Sequence, residues 1–143
     1  MVQKMEVVYE DEQLMVCYKP AGLATQTSSI VQQDMVSQVK YYRTQKGEPP
    51  YVGVIHRLDQ PVSGVLVFAK NKKAAADLSN QISNGTMKKF YYALIYGTPI
   101  RERDTLEDYL YKDGRENLSI VVNATFPDAK KAILNYRHCS TLM

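Results

Sequence analysis

Between Val52 and Lys70 the chain reads V-G-V-I-H-R-L-D-Q-P-V-S-G-V-L-V-F-A-K, and no other stretch limits the possible folds as much. Val52 to Leu58 is largely apolar, interrupted by Gly53, His56 and Arg57. Asp59-Gln60-Pro61-Val62-Ser63-Gly64 is turn chemistry: Pro61 fixes φ and Gly64 tolerates positive φ. Val65 to Ala69 is β-branched and apolar, of strand length and without strict alternation. It predicts a core strand covered on both faces. Asp59 then stands alone at a strand-to-loop junction, beside Arg57 and next to that strand. Two readings of such a carboxylate are open. One is a turn aspartate bonded to its own backbone; the other is a catalytic group held by a rigid scaffold.

The rest of the chain supplies elements around this stretch. Val7-Val8-Tyr9 and Leu14 to Tyr18 read as short strands about the acidic turn Glu10-Asp11-Glu12. Lys19-Pro20-Ala21-Gly22 is a turn in which Pro20 fixes φ and Gly22 allows the left-handed region. Ser28 or Ser29 is placed to cap a helix from about Ile30 to Arg43, with Val31, Met35, Val39 and Tyr42 as its apolar stripe. A second helix is predicted between an N-cap at Asn71 and Gly85, with Ala74 or Ala75, Leu78 and Ile82 turned inward. Lys88 to Tyr96 alternates as a strand. Arg101 to Thr105 is charged and irregular; Leu106 to Lys112 and Asn117 to Asn123 then form a hairpin around Asp113-Gly114. Thr125 to Lys130 is a loop, and Lys131 to Cys139 is a last strand with Ala132, Leu134, Tyr136 and His138 on one face. Without an internal repeat or a linker, the pattern predicts one domain over 1–143. Its class is α+β, a mainly antiparallel or mixed β-sheet with a few flanking helices.

A chain of 143 residues can bury a core without staples. No apolar run is long enough to span a bilayer, and no signal-peptide pattern opens the chain, so a cytoplasmic protein is expected. Cys17 and Cys139 lie far apart in strand-like segments, which predicts buried free thiols in a reducing compartment. A net charge of +3 permits a polyanionic partner without demanding one. The lysine pairs 72–73, 88–89 and 130–131 read as solvated faces.

Most catalytic constellations are missing. His56 and His138 have no partners at metal-ligand spacing. There is no Gly-x-Ser-x-Gly elbow, no phosphate loop and no Gly-x-Gly-x-x-Gly. Asp11, Glu12, Glu107 and Asp108 sit in acidic clusters suited to a solvated surface rather than to a paired-carboxylate hydrolase. An isolated aspartate without metal or cofactor suits a carboxylate acting as nucleophile on its substrate. Lys89-Phe90-Tyr91-Tyr92-Ala93 is a second candidate site. On a strand, Tyr91 shares a face with the small Ala93, leaving room for a flat ring, and Lys89 on that face can meet a phosphate. The alternative is that Tyr91 packs in the core.

His56-Arg57-Leu58-Asp59, followed by Ser63-Gly64 and the run ending Phe68-Ala69-Lys70, resembles the signature of the RluA-type pseudouridine synthases. The Lys19-Pro20-Ala21-Gly22 turn and the Lys89-x-Tyr91-x-Ala93 stretch resemble further parts of it. The resemblance implies the fold of that catalytic domain and isomerisation of a uridine in ribosomal or transfer RNA to its C5-linked form, without cofactor or metal. Asp59 is then the catalytic carboxylate, which either attacks ribose or base or promotes departure of the uracil. Arg57 fills the place of the flipped base or holds a phosphate, Tyr91 stacks on the uracil, Lys89 meets a phosphate, and His56 is structural or touches the RNA backbone.

Val62 departs from the threonine many members carry. Members also continue to a Gly-Arg-x-His-Gln segment that has no match here, and Arg137-His138-Cys139 is not that pattern. The resemblance therefore implies a partial catalytic domain, with late strands open to self-association and doubtful activity as a 143-residue form. A catalytically defective RNA-binding module of the same fold is the alternative.

Overall fold

The computed structural model describes residues 4–28, 31–116 and 118–139. The chain forms two compact units, Met1–Phe90 and Tyr91–Met143.

The first unit is built on a four-stranded sheet. Its strands are β1 (Glu6–Glu10), β2 (Leu14–Lys19), β3 (Gly53–Val54) and β4 (Gly64–Ala69), in the order β1-β2-β4-β3. All three pairings are antiparallel. The acidic turn between β1 and β2 is closed by Asp11, whose Oδ1 accepts from the backbone N–H groups of Gln13 and Leu14 at 2.7 and 2.8 Å. Residues two apart on β2 point the same way, so Met15, Cys17 and Lys19 are all fully buried. Leu66 and Phe68 of β4 join them, while Val65 is exposed. The run Val65 to Ala69 is thus buried mainly on one face, contrary to the expectation of cover on both. The bare side follows from the arrangement of core-forming elements: Met35, Val36 and Val39 of the first helix share one cluster with Met15, Cys17, Leu66 and Phe68.

That helix, α1, spans Met35–Gln45 and starts later than the sequence predicts. Asp34, not Ser28, is its N-cap, accepting from Ser37 N–H at 2.7 Å, while the Ser37 hydroxyl accepts from Asp34 N–H at 3.1 Å. A carboxylate with a serine three residues on satisfies two free donors reciprocally, which is the stronger cap. Val31 consequently lies outside the helix and is exposed, and the expected starts at Ser29 and Ile30 lie outside the described residues. The inward face is Met35, Val36, Val39 and Arg43. Arg43 is buried with three partners for its guanidinium. It donates to the carbonyls of Tyr51 and Lys70 and pairs with Glu48 at 3.0 Å. The second helix, α2 (Lys72–Ser83), has Asn71 as N-cap and buries Leu78, and Gly85 follows it at φ +72°.

The second unit holds a three-stranded antiparallel sheet of β5 (Arg103–Asp113), β6 (Leu118–Val122) and β7 (Lys130–Arg137), in the order β6-β5-β7. β5 begins within the segment expected to be irregular. Asp113 turns the hairpin, its Oδ1 accepting from Arg115 and Glu116 N–H. Thr105 and Asn135, opposite each other, join by a 2.7 Å side-chain bond, and Lys131 pairs with Glu107 at 2.6 Å. Tyr111 and Phe126 meet at 5.0 Å between ring centroids.

Two further expectations are corrected. Lys88 to Tyr96 is not a strand: none of it enters either sheet, and Phe90 to Tyr92 and Leu94 to Tyr96 are exposed. Alternation makes a strand only where a neighbour takes up the backbone bonds, so the face shared by Lys89, Tyr91 and Ala93 does not form. Cys139 is exposed, because it falls just past the end of β7, whereas Cys17 is buried and burial pushes its thiol up to about 12.

Candidate active site at the Asp59 turn

β3 ends at Val54, but the chain stays beside β4 because His56 replaces the ladder with its side chain. Its Nε2 accepts from Val67 N–H at 3.3 Å. That bond leaves the proton on Nδ1, which is buried and without a partner among the described residues. Burial, and secondarily the charge of Lys89, lowers the His56 pKa, so the ring is neutral near pH 7. The structure thus joins His56 to β4 and brings Lys89 within electrostatic reach of it.

Arg57 points outward and is exposed. With Gln26, Thr27 and Ser28 it lines an open polar depression of about 470 Å³. Leu58 turns back toward the core cluster. Its N–H and its carbonyl both bond the hydroxyl of Thr25, at 3.1 and 2.7 Å.

Asp59 then opens a tight turn in which Val62 N–H donates to its carbonyl at 3.0 Å. Asp59 is exposed, and its carboxylate makes no hydrogen bond or ion pair among the described residues. Its two neighbours, by contrast, are held fast. Gln60 accepts at its carbonyl from Gly22 N–H at 2.7 Å and from Lys19 Nζ at 3.1 Å, and its side-chain amide donates to the Gly22 carbonyl at 2.9 Å. Gly22, at φ +87°, adopts a conformation that residues with a side chain rarely take. Gly64 closes the loop at φ +154°, where a Cβ would meet Leu58 Cδ1 at 3.3 Å.

Lys19 is the residue that sequence reasoning missed. Its Nζ donates to the carbonyls of Leu23 (2.6 Å), Gln60 (3.1 Å) and Pro20 (3.2 Å). Burial lowers its pKa, and the negative charge of Asp59 partly offsets this. The signal was present in β2, where the alternation that buries Met15 and Cys17 also buries Lys19. Thr25 had no such signal, because nothing local places it against Leu58.

The arrangement is a carboxylate presented to solvent on a rigid turn, with one buried cation behind it and one exposed cation two residues away. Tyr91 belongs to the second unit and is 61% exposed. A second depression, of about 360 Å³, lies among Glu10, Asp11, Glu12, Lys46, Glu48 and Lys70. Its lysines already bond Glu10 and Glu48, so it serves as structure. Among the described residues no three His, Cys, Asp or Glu side chains group to hold a metal, and no helix is long and apolar enough to cross a membrane.

A family model described as RNA pseudouridylate synthase matches residues 13–142. The chain belongs to this family. Among its relatives, the ribosomal large subunit pseudouridine synthase C of Rickettsia prowazekii is 34% identical over 136 residues, covering 95% of this chain and 44% of that protein. The tRNA pseudouridine synthase C of Vibrio cholerae is 33% identical over 133 residues, covering 93% and 53%. The chain thus spans about half the length of these curated relatives. The solved structure of human RNA pseudouridylate synthase domain containing 4 shares the fold, with a TM-score of 0.72 at 20% identity over 92% of this chain and 52% of that one. Within the pseudouridylate synthase family, the α+β class and the antiparallel sheets of this chain are those its sequence led us to expect.

Proposed function

We propose that the protein carrying this chain isomerises a uridine in ribosomal or transfer RNA to pseudouridine, with Asp59 as its catalytic carboxylate. The observation that carries the reading is the Asp59 turn itself. An acid whose carboxylate makes no hydrogen bond among the described residues stands on a loop fixed at both neighbouring residues, in a chain of the pseudouridylate synthase family. Structural aspartates in turns use their oxygens locally, as Asp11 and Asp34 do here.

In this reaction the bond from ribose C1′ to uracil N1 breaks, the base rotates, and C1′ joins to C5. The C5 proton leaves, and N1 regains one. Asp59 acts on the ribose or the base during the first step. The target nucleotide leaves its stack to reach the carboxylate, and Arg57 holds the extruded state from the edge of the polar depression. Lys89 adds positive charge near His56 for the RNA backbone.

The test is to map pseudouridines in RNA from cells carrying the intact gene, the deleted gene and Asp59→Asn. We expect one or more sites to vanish alike in the last two, while the melting temperature and RNA affinity of the Asp59→Asn protein stay near wild type. Normal modification by Asp59→Asn would sink the assignment.

A further inference from the structure

We propose that Thr25 is a positioning residue for Asp59, acting through the backbone of Leu58; the proposal rests on Asp59 being the catalytic carboxylate. One hydroxyl engages both polar backbone groups of Leu58, donating to its carbonyl at 2.7 Å and accepting from its N–H at 3.1 Å. The carbonyl belongs to the peptide plane that leads into Asp59 and the N–H to the plane before it, so the two bonds orient both planes that flank the Leu58 Cα. Nothing else does this from the side chain, since the Asp59 carboxylate has no hydrogen-bond partner among the described residues. Its direction is inherited from its backbone neighbours. Gln60 is held from the other side by Lys19 and Gly22.

Thr25 is itself anchored. It is 2% exposed, and its carbonyl accepts from Val36 N–H at 3.2 Å, while Ala24 accepts from Met35 N–H at 2.9 Å. The first turn of α1 is therefore bonded to the segment that holds Leu58. Catalysis by an oriented group is steeply sensitive to placement, since an error of about 1 Å can lower the rate by about 100-fold. A buried hydroxyl that spans both backbone groups of the preceding residue is a means of setting that placement.

Thr25→Val keeps the shape and removes both bonds, whereas Thr25→Ser keeps them. Both are assayed in the natural full-length protein beside Asp59→Asn, on total RNA from cells lacking the gene, well below each melting temperature. Thr25→Val should lower kcat by about 10- to 100-fold with KM and RNA affinity within about twofold, and Thr25→Ser should restore most of kcat. Leu58 amide exchange should quicken in Thr25→Val alone. Turnover by Asp59→Asn would remove the function on which the proposal rests. With Asp59→Asn inactive, a Thr25→Val protein of normal kcat, or a Thr25→Ser protein as slow as Thr25→Val, overturns the positioning role. Should Thr25→Val not fold, Thr25→Ala makes the same comparison with less crowding, and failure of both to fold shows the role to be structural only.

Discussion

Lys19 Nζ lies 3.1 Å from the carbonyl oxygen of Gln60, the residue that follows Asp59. The strand that supplies the buried lysine and the turn that carries the exposed acid are joined by that bond. Replacing the ammonium with a thioether of similar length removes the donor to the Leu23 and Pro20 carbonyls and leaves the Gln60 carbonyl with Gly22 N–H alone. Unmade bonds of this kind cost about 1–3 kcal/mol each, although partial rearrangement recovers some of it. Lys19→Met is expected to lose about 3 kcal/mol by urea melting, a far larger effect than a surface lysine gives. A change below about 0.5 kcal/mol would mean that the lysine is replaceable in the fold.

Glu10 makes the fold sensitive to acid. Burial raises its pKa, but the bonds from Lys70 at 2.8 Å, Lys46 at 2.9 Å and Tyr42 at 3.1 Å outweigh burial and bring it down to about 2. A carboxylate depressed in the folded state contributes stability above its unfolded value, 4.5, and the contribution disappears as pH falls toward about 2. The whole span corresponds to at most about 3 kcal/mol. Stability measured from pH 6 downward should fall less steeply for Glu10→Gln than for wild type. Parallel acid limbs in the two proteins would contradict this.

Gly53 is fixed by crowding rather than by backbone conformation. A Cβ there would stand 2.9 Å from Ala75 Cβ, 3.0 Å from Ala69 Cβ and 3.3 Å from Tyr51 Oη, where α2 lies against the sheet. Gly53→Ala is expected to cost about 1–3 kcal/mol by displacing α2, despite the lower entropy of its unfolded chain. Equal melting temperatures for the two proteins would refute the close approach.

Arg57 should separate turnover from affinity. It is exposed, at the edge of the polar depression, where the proposed function puts the extruded nucleotide. Arg57→Ala is predicted to lower pseudouridine formation about 10-fold or more while weakening RNA binding only a few-fold. Binding should also weaken as salt rises, with a shallower slope in the variant. Filter binding over a salt series, beside single-turnover assays, reads both quantities. Equal losses in the two would make Arg57 an ordinary phosphate contact.

The parts of the molecule that were legible in its sequence are those governed by local chemistry. Asn71 and Gly85 delimit α2, Asp113 turns the β5–β6 hairpin, and Gly22 takes its left-handed φ, because each follows from its own residue type. The Asp59 turn was also readable, from Pro61 and the residues around it. Lys88 to Tyr96 was misread because strand formation depends on a neighbour that periodicity does not supply. α1 starts later than its upstream serines suggest because Asp34 and Ser37 form a reciprocal cap. The supports of the site were the hardest to see. Thr25 and Leu58 are 33 residues apart, and Gly22 and Gln60 are 38 apart, so only the folded sheet makes them neighbours.

Those long spans have a consequence for how the site comes into being. Gly22 and Gln60 bond each other twice, once through backbone and once through the Gln60 side chain. Closing loops of this length costs entropy that a few hydrogen bonds do not recover until β2 and β4 have paired. The turn at Asp59 therefore has no independent existence. A peptide cut from Val52 to Lys70 carries every residue of the motif and none of its geometry. In the whole chain the same coupling makes the carboxylate's surroundings as durable as the sheet itself, so that they open only when β2 and β4 come apart.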